Sequence, residues 1–138
     1  MAIHTISNDK ISLSVSEHGA EIRSLISLRD NKEVMWQADP AFWGRTSPVL
    51  FPLVGNYFEK ESVYDGKTYK MSQHGFARDM DFHLITKTDT RIKFLLRDNE
   101  KSHELYPFSF YLILGYELED DTVKVSWSVK NTGIGPMY

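Results

Sequence analysis

The sequence predicts an all-β protein built from antiparallel strands. About ten short segments alternate apolar and polar residues with the period of two that is typical of half-buried strands. Turn-forming Asn, Asp, Gly and Pro residues separate these segments, and only two short stretches fit a helical turn. The length of 138 residues suits a single domain. Together these observations favour an antiparallel sandwich or barrel and leave the order of the strands open.

The first elements are predicted by alternation that begins close to the N-terminus. Residues 11–16 alternate apolar residues with serines, and the Asn8-Asp9 turn before them indicates a hairpin with residues 2–7. A strand over residues 20–28 is expected next, and its apolar residues change phase near its start, which a β-bulge would explain. Another short strand is expected to begin at residues 33–36.

Residues 37–56 are predicted to form a long loop, because three prolines remove backbone donors and restrict the residues before them. One helical turn fits at residues 40–43, with Asp39 as its N-cap and Pro40 at its first position. The loop also carries five large apolar residues that a solvated loop would not favour, so we expect it to pack inward or to line a pocket. These residues are Phe42, Trp43, Val49, Leu50 and Phe51.

The remaining elements are two hairpins, one helical turn and two long alternating strands. Their predicted positions are 62–64 with 67–69, 82–86 with 91–97, 99–106, 108–118 and 123–129. Asp65-Gly66 is the strongest two-residue hairpin signal in the chain. Asn99 is suited to cap the helical turn, and Pro107 is suited to end it.

Composition and charge narrow the range of partners and locations. The net charge is −3 with both signs interspersed, so the chain lacks the basic patch that a nucleic-acid phosphate backbone requires. There are no cysteines, which excludes disulfides and thiolate metal sites. The first residues have neither a cationic nor an apolar signal region, and no apolar run is long enough to cross a membrane. We therefore expect a cytoplasmic protein that binds neither nucleic acid nor membrane.

The most informative segment for function is residues 73–79, which holds His74 next to Gly75 and is followed by Arg78 and Asp79. An unperturbed imidazole titrates near pH 6.5, so His74 can exchange a proton in the cell, but it can equally cap a turn or bond a carbonyl. Arg78 can hold hydroxyls with its planar fork or pair with a carboxylate, and Arg45 has the same two interpretations. If the segment is extended, Arg78 and Asp79 point to opposite faces.

The other histidines show no metal-ligand spacing, and there is no carboxylate cluster and no glycine-rich phosphate loop. These four histidines are His4, His18, His83 and His103. We therefore expect no metal site.

The motifs at residues 43–55 (WGRTSPVLFPLVG), 64–69 (YDGKTY) and 73–79 (QHGFARD) resemble the aldose 1-epimerase, or galactose mutarotase-like, family and its LacX-type branch. The later motifs at 106–108 and 129–133 also fit. The resemblance implies an antiparallel β-sandwich whose concave face binds a free aldose sugar. It also implies interconversion of the α and β anomers by acid–base ring opening, without a cofactor.

Within this resemblance His74 matches a catalytic histidine of the family, and Arg78 matches an arginine common in the LacX-type branch. We expect Gln73, Arg78 and Asn56 to bind substrate. Asn56 stands where family members commonly carry an arginine, and its amide can bond hydroxyls but cannot act as a cation. Residues 1–138 are expected to be the N-terminal half of one such domain, because family chains are about twice this length.

The family's second histidine and catalytic glutamate are expected beyond residue 138. An aldose 1-epimerase-like chain without them is expected to be weakly active or inactive. A non-catalytic carbohydrate-binding module and a purely structural domain are the alternatives. A half-sandwich also exposes strand edges, so self-association is expected.

Overall fold

A computed structural model describes all 138 residues and contains ten strands and one α-helix. The strands are β1 (Ile3–Ser7), β2 (Ile11–Ser16), β3 (Ile22–Ser27), β4 (Lys32–Glu33), β5 (Glu61–Tyr64), β6 (Lys67–Lys70), β7 (His83–Lys87), β8 (Arg91–Arg97), β9 (Phe110–Glu119) and β10 (Thr122–Asn131). The helix α1 is Glu100–Leu105, and single turns of 3-10 helix lie at Phe58–Lys60 and Ala77–Asp79. None of these helices is long and apolar enough to cross a membrane.

The strands form two four-stranded antiparallel sheets and one separate hairpin. The first sheet has the order β1-β2-β3-β4, the second has the order β10-β9-β8-β7, and β5 pairs with β6 alone. A single apolar core joins the two larger sheets, which confirms the predicted antiparallel β-sandwich. Its fully buried side chains include Leu13 and Val15 from β2, Phe94 from β8, and Leu112 and Leu114 from β9.

The first sheet follows the predicted hairpin and contains the predicted bulge. Ser14 pairs with Ser24 and Val15 pairs with Ile22, so Arg23 is the extra residue on β3. This insertion explains the change of phase in the sequence, because one added residue reverses the faces of a strand.

The strand expected at residues 33–36 is wrong in its extent, since β4 ends at Glu33. The Glu33 carboxylate accepts the backbone N–H groups of Leu25 at 2.8 Å and of Met35 at 3.0 Å. Met35 is thereby bonded to a side chain instead of a neighbouring strand, and the ladder stops.

The long loop contains the predicted single turn but only part of it packs inward. The Asp39 carboxylate accepts the N–H of Ala41 at 2.9 Å, as expected for a cap. Val49 and Phe51 are buried, whereas Phe42 is 81% exposed and Trp43 is half-exposed. The expectation was therefore wrong for these two aromatic residues.

The exposed aromatic residues of the loop contact one another. The Trp36 indole N–H donates to the Trp43 carbonyl at 2.8 Å, and the Phe42 ring meets the Trp36 ring edge-on at a centroid distance of 6.4 Å. The aromatic residues at this end of the loop therefore form a cluster at the surface.

The second half of the chain matches the predicted hairpins, helical turn and strands. The Asn99 side chain accepts the N–H of Ser102, and the Ser102 hydroxyl accepts the N–H of Asn99, which is a reciprocal capping box. The buried Tyr116 hydroxyl donates to the Ala20 carbonyl at 2.5 Å and so connects β9 to the segment between β2 and β3. Burial, followed by the nearby Glu21 charge, raises the Tyr116 pKa.

Candidate functional site

The predicted site residue His74 lies in a tight turn that packs against the proline-containing loop. His74 has a φ of +64° and Gly75 a φ of +75°. A Cβ atom on Gly75 would lie 2.1 Å from the Phe51 carbonyl oxygen, so only glycine fits this approach. The same carbonyl accepts the N–H groups of Phe76 at 3.0 Å and Ala77 at 3.2 Å. The loop and the turn thus form one rigid unit.

The His74 imidazole is oriented by backbone atoms of Gly55. Its Nδ1 accepts the Gly55 N–H at 2.8 Å, and the His74 N–H donates to the Gly55 carbonyl at 2.8 Å. Because Nδ1 is the acceptor, the neutral ring carries its proton on Nε2. The structure gives Nε2 no protein partner, and the residue is half-buried. His74 therefore both bonds the backbone and retains a free N–H donor.

The Arg78 side chain hydrogen-bonds the backbone of the same turn. Its Nη2 donates to the Gln73 carbonyl at 2.9 Å, and its Nε is buried without a hydrogen-bond partner, 3.9 Å from Asp79 Oδ2. Residues Ala77–Asp79 form a turn of 3-10 helix, so the extended arrangement with Arg78 and Asp79 on opposite faces does not occur. The guanidinium contacts protein groups on the side that faces the turn.

Arg45 connects the long loop to the end of the histidine segment. Its Nη1 donates to the Arg78 carbonyl at 3.3 Å, and its Nη2 pairs with the Asp79 carboxylate. The structure therefore supports the structural interpretation of Arg45. Asp79 is the carboxylate nearest to His74 in the sequence, and it is paired with Arg45.

Glu21 hydrogen-bonds the long loop at Thr46 and Ser47, next to Arg45. The sequence patterns did not identify it as a candidate. The residue is 2% exposed, and its Oε1 accepts the Thr46 N–H at 2.7 Å, the Thr46 hydroxyl at 2.8 Å and the Ser47 N–H at 3.0 Å. Burial opposes ionisation, but these hydrogen bonds outweigh it and lower the Glu21 pKa. An acidic residue just before a strand that enters the core was the signal that could have identified it.

The remaining predicted binding residues flank the contact between His74 and Gly55. Asn56 follows Gly55, Gln73 precedes His74, and both are exposed. The fold thus brings the four predicted site residues to two adjacent turns, with the Arg78 guanidinium directed at the Gln73 backbone.

The largest cavity of the protein lies away from these four residues. It measures about 790 Å³ and lies between the β5-β6 hairpin, residues 107–109 and residues 131–138. Tyr64 and Tyr138 line it with nearly parallel rings, and the Tyr106 hydroxyl donates to the Tyr138 carbonyl at 2.6 Å. Burial, followed by the charge of Tyr64, raises the Tyr106 pKa to about 12.

Solved structures with this architecture define a class of galactose mutarotase-like proteins. A galactose mutarotase related enzyme from Lactobacillus acidophilus superposes with a TM-score of 0.93 at 45% identity, over 94% of this chain and 43% of that chain. A galactose mutarotase-like protein from Lactobacillus casei ATCC 334 superposes with a TM-score of 0.91 at 38% identity, over 94% of this chain and 44% of that chain.

The family model described as aldose 1-epimerase matches residues 2–138, and the chain belongs to this family. The plasmid-encoded Protein LacX of Lactococcus lactis subsp. lactis is 26% identical over 91% of this chain and 44% of its own length. The chain therefore spans less than half the length of this curated relative. These findings confirm the predicted family and its LacX-type resemblance, whereas the roles of His74, Asn56, Gln73 and Arg78 stay predictions.

Proposed function

We propose that the turn carrying His74 is part of an aldose-binding site for the interconversion of α and β anomers. The observation that carries this proposal is the free Nε2–H of His74, held in place by the bond from the Gly55 N–H to Nδ1. Ring opening requires a base to take the proton of the C1 hydroxyl while an acid protonates the ring oxygen. A fixed N–H donor hydrogen-bonds the ring or anomeric oxygen and stabilises the negative charge that develops there.

The groups around His74 can bind the hydroxyls of a sugar, but they do not form a complete acid–base pair for proton transfer. Asn56 and Gln73 present exposed amides that can donate to and accept from hydroxyls. No carboxylate bonds His74 in this chain, and Asp79 is paired with Arg45. One histidine does not supply both proton transfers efficiently, so we expect this chain by itself to be weakly active or inactive.

A non-catalytic carbohydrate-binding role is the second candidate. It is favoured by the same absence of a carboxylate partner for His74 within hydrogen-bond distance. In this case the site would bind an aldose and leave its anomeric equilibrium unaccelerated. A cytoplasmic location, and the absence of nucleic-acid and membrane partners, also stay predictions.

The experiment that tests the proposed function is NMR measurement of α-to-β exchange of glucose and galactose with and without the chain. Chemical-shift perturbation in the same samples reports binding. His74→Ala is expected to abolish binding and any residual acceleration. His83→Ala is the matched control, because His83 is exposed on β7 and lies outside the candidate site.

Binding that depends on His74, with or without weak exchange, supports the proposed site. Accelerated exchange assigns catalysis to this chain, and binding alone assigns the carbohydrate-binding role. Absence of aldose binding in the folded wild-type chain would reject both roles for this chain.

A further inference from the structure

The part of the long loop that reaches His74 begins at a buried carboxylate. Glu21 Oε1 accepts the N–H groups of Thr46 and Ser47 and also the Thr46 hydroxyl. The Ser47 hydroxyl donates to the Ile22 carbonyl at 3.1 Å, so the loop is attached to Glu21 and to the first residue of β3. Hydrogen bonds to a charged oxygen are stronger than bonds between neutral groups. These contacts therefore fix the point from which the rest of the loop continues.

Two later contacts connect this point to the imidazole. Four residues after Ser47, the Phe51 carbonyl accepts the N–H groups of residues 76–77. Four residues further along, Gly55 exchanges two hydrogen bonds with His74, one of them to the imidazole Nδ1. Two prolines lie in this stretch and restrict its backbone, so it has little freedom to absorb a shift at its start.

A second connection runs through Arg45, which directly precedes the residues bonded by Glu21. The Arg45 Nη1 donates to the Arg78 carbonyl at 3.3 Å. The Arg78 Nη2 in turn donates at 2.9 Å to the carbonyl of Gln73, which is the residue before His74. The same short stretch of the loop is therefore connected to the turn carrying the imidazole from a second side.

We propose that Glu21 is a positioning residue for His74, whose carboxylate fixes the long loop so that the Gly55 N–H meets Nδ1 and the Nε2–H stays free for the sugar. This inference rests on the proposed function of the imidazole. Glu21 itself is 2% exposed, so it acts through the loop and not by contact with an aldose. Without the carboxylate, the Thr46 and Ser47 N–H groups lose their acceptor, and the loop shifts to satisfy them.

The consequence of such a shift is specific to the imidazole. When the Gly55 N–H no longer meets Nδ1, nothing in the contact selects one neutral tautomer, and the ring populates both. A purely structural role of Glu21 would instead lower the stability of the fold and leave the tautomer of the folded chain unchanged. The tautomer therefore separates the two roles.

Two readouts on the folded chain test this role. The first is the His74 tautomer, from long-range ¹⁵N–¹H correlation spectra, and the second is glucose affinity, from chemical-shift perturbation. Glu21→Ala is expected to produce a mixture of tautomers and to weaken glucose binding at least about fivefold. Glu21→Gln retains one acceptor oxygen, so it is expected to keep the Nε2–H tautomer and an affinity within about threefold of wild type.

Two further variants complete the comparison. Asn99→Ala is the control for a general loss of stability, because it removes the side-chain cap of α1 and leaves the contacts of Glu21 in place. It is expected to keep the wild-type tautomer and affinity. Thr46→Val removes one donor to Glu21 without removing the carboxylate, and it is expected to cause a smaller change in the same direction as Glu21→Ala. Circular dichroism verifies the fold of each variant.

An unchanged tautomer in folded Glu21→Ala overturns the proposal, and an unchanged tautomer in Thr46→Val does so where the alanine variant does not fold. Equal changes in Glu21→Ala and Asn99→Ala assign the effect to lower stability and also overturn it. If the wild-type chain binds neither glucose nor galactose, the proposed function fails, whereas the tautomer comparison needs no sugar and still decides the role of Glu21.

Discussion

His74 acquires its orientation from a backbone neighbour that the sequence separates from it by nineteen positions. The imidazole next to a glycine was visible as a candidate in the sequence, and so was the possibility that it bonds the backbone. Which ring nitrogen bonds the backbone depends on how the long loop folds back to bring Gly55 against the histidine turn. The ability of His74 to donate a hydrogen bond from Nε2 therefore depends on both the long loop and the histidine turn.

The structure predicts that neutral His74 is protonated on Nε2, because Nδ1 accepts the Gly55 N–H. Long-range ¹⁵N–¹H correlation spectra of the imidazole, recorded at about pH 8 where an ordinary imidazole is neutral, distinguish the two tautomers. The signals are assigned by their loss in His74→Ala. A pattern typical of an Nδ1–H tautomer would contradict the observed contact.

Glu21 makes the stability of the fold dependent on pH. Its pKa is lower in the folded chain, so the ionised carboxylate stabilises the fold above the unfolded-state pKa, which is near 4.3. This stabilisation is lost as the pH falls through the lower folded-state pKa. Glu21→Gln removes the charge and is expected to lower the free energy of unfolding at neutral pH by about 1–2 kcal/mol.

Urea unfolding across a pH series measures this effect. The difference between wild type and Glu21→Gln is expected to shrink as the solution becomes acidic, because the wild-type carboxyl then also becomes neutral. Glu104→Gln is the control, since Glu104 is exposed on α1. A difference that stays constant from neutral to acidic pH would assign the effect to the shape of the side chain and contradict the role of its charge.

At the scale of elements, local patterns predicted the strands well, and contacts between elements account for the errors. Asp65-Gly66 and the Asn99 cap act within a few residues, so the sequence was sufficient to predict their hairpin and helical turn. The length of β4 depends on where the Glu33 carboxylate bonds. Likewise, the partial exposure of Trp127 depends on how far the other sheet reaches over β10, which alternation does not reveal.

The close packing of the histidine turn against the long loop is predicted to depend on Gly75. Gly75→Ala adds a Cβ 2.1 Å from the Phe51 carbonyl oxygen at a φ of +75°, so it is expected to lower the free energy of unfolding by at least about 2 kcal/mol. Gly44→Ala is the matched control, because a Cβ there has no neighbour within 4 Å. Urea unfolding of both variants measures the effect, and equal stabilities would show that the turn shifts freely.

At the scale of the whole molecule, the sequence supported the sandwich class, while the order of strands and the site needed the fold. The four candidate site residues lie on two turns of the chain. These turns meet because the Phe51 carbonyl accepts the N–H groups of Phe76 and Ala77, just after Gly75. Glu21 escaped notice because its partners, Thr46 and Ser47, lie on a distant loop. Burial of a carboxylate is a property of such long-range contacts, and no short window of sequence contains it.

The bond from the Tyr116 hydroxyl to the Ala20 carbonyl has a consequence for synthesis on the ribosome. Its partners are separated by 96 residues, so at typical elongation rates about 5–20 s pass between their translation. During that interval the N-terminal sheet exists without the strand that completes its packing. The apolar side of β2 is then not covered by β9, which is made later. The order of translation thus leaves the N-terminal sheet without its contact to β9 until most of the 138 residues have been made.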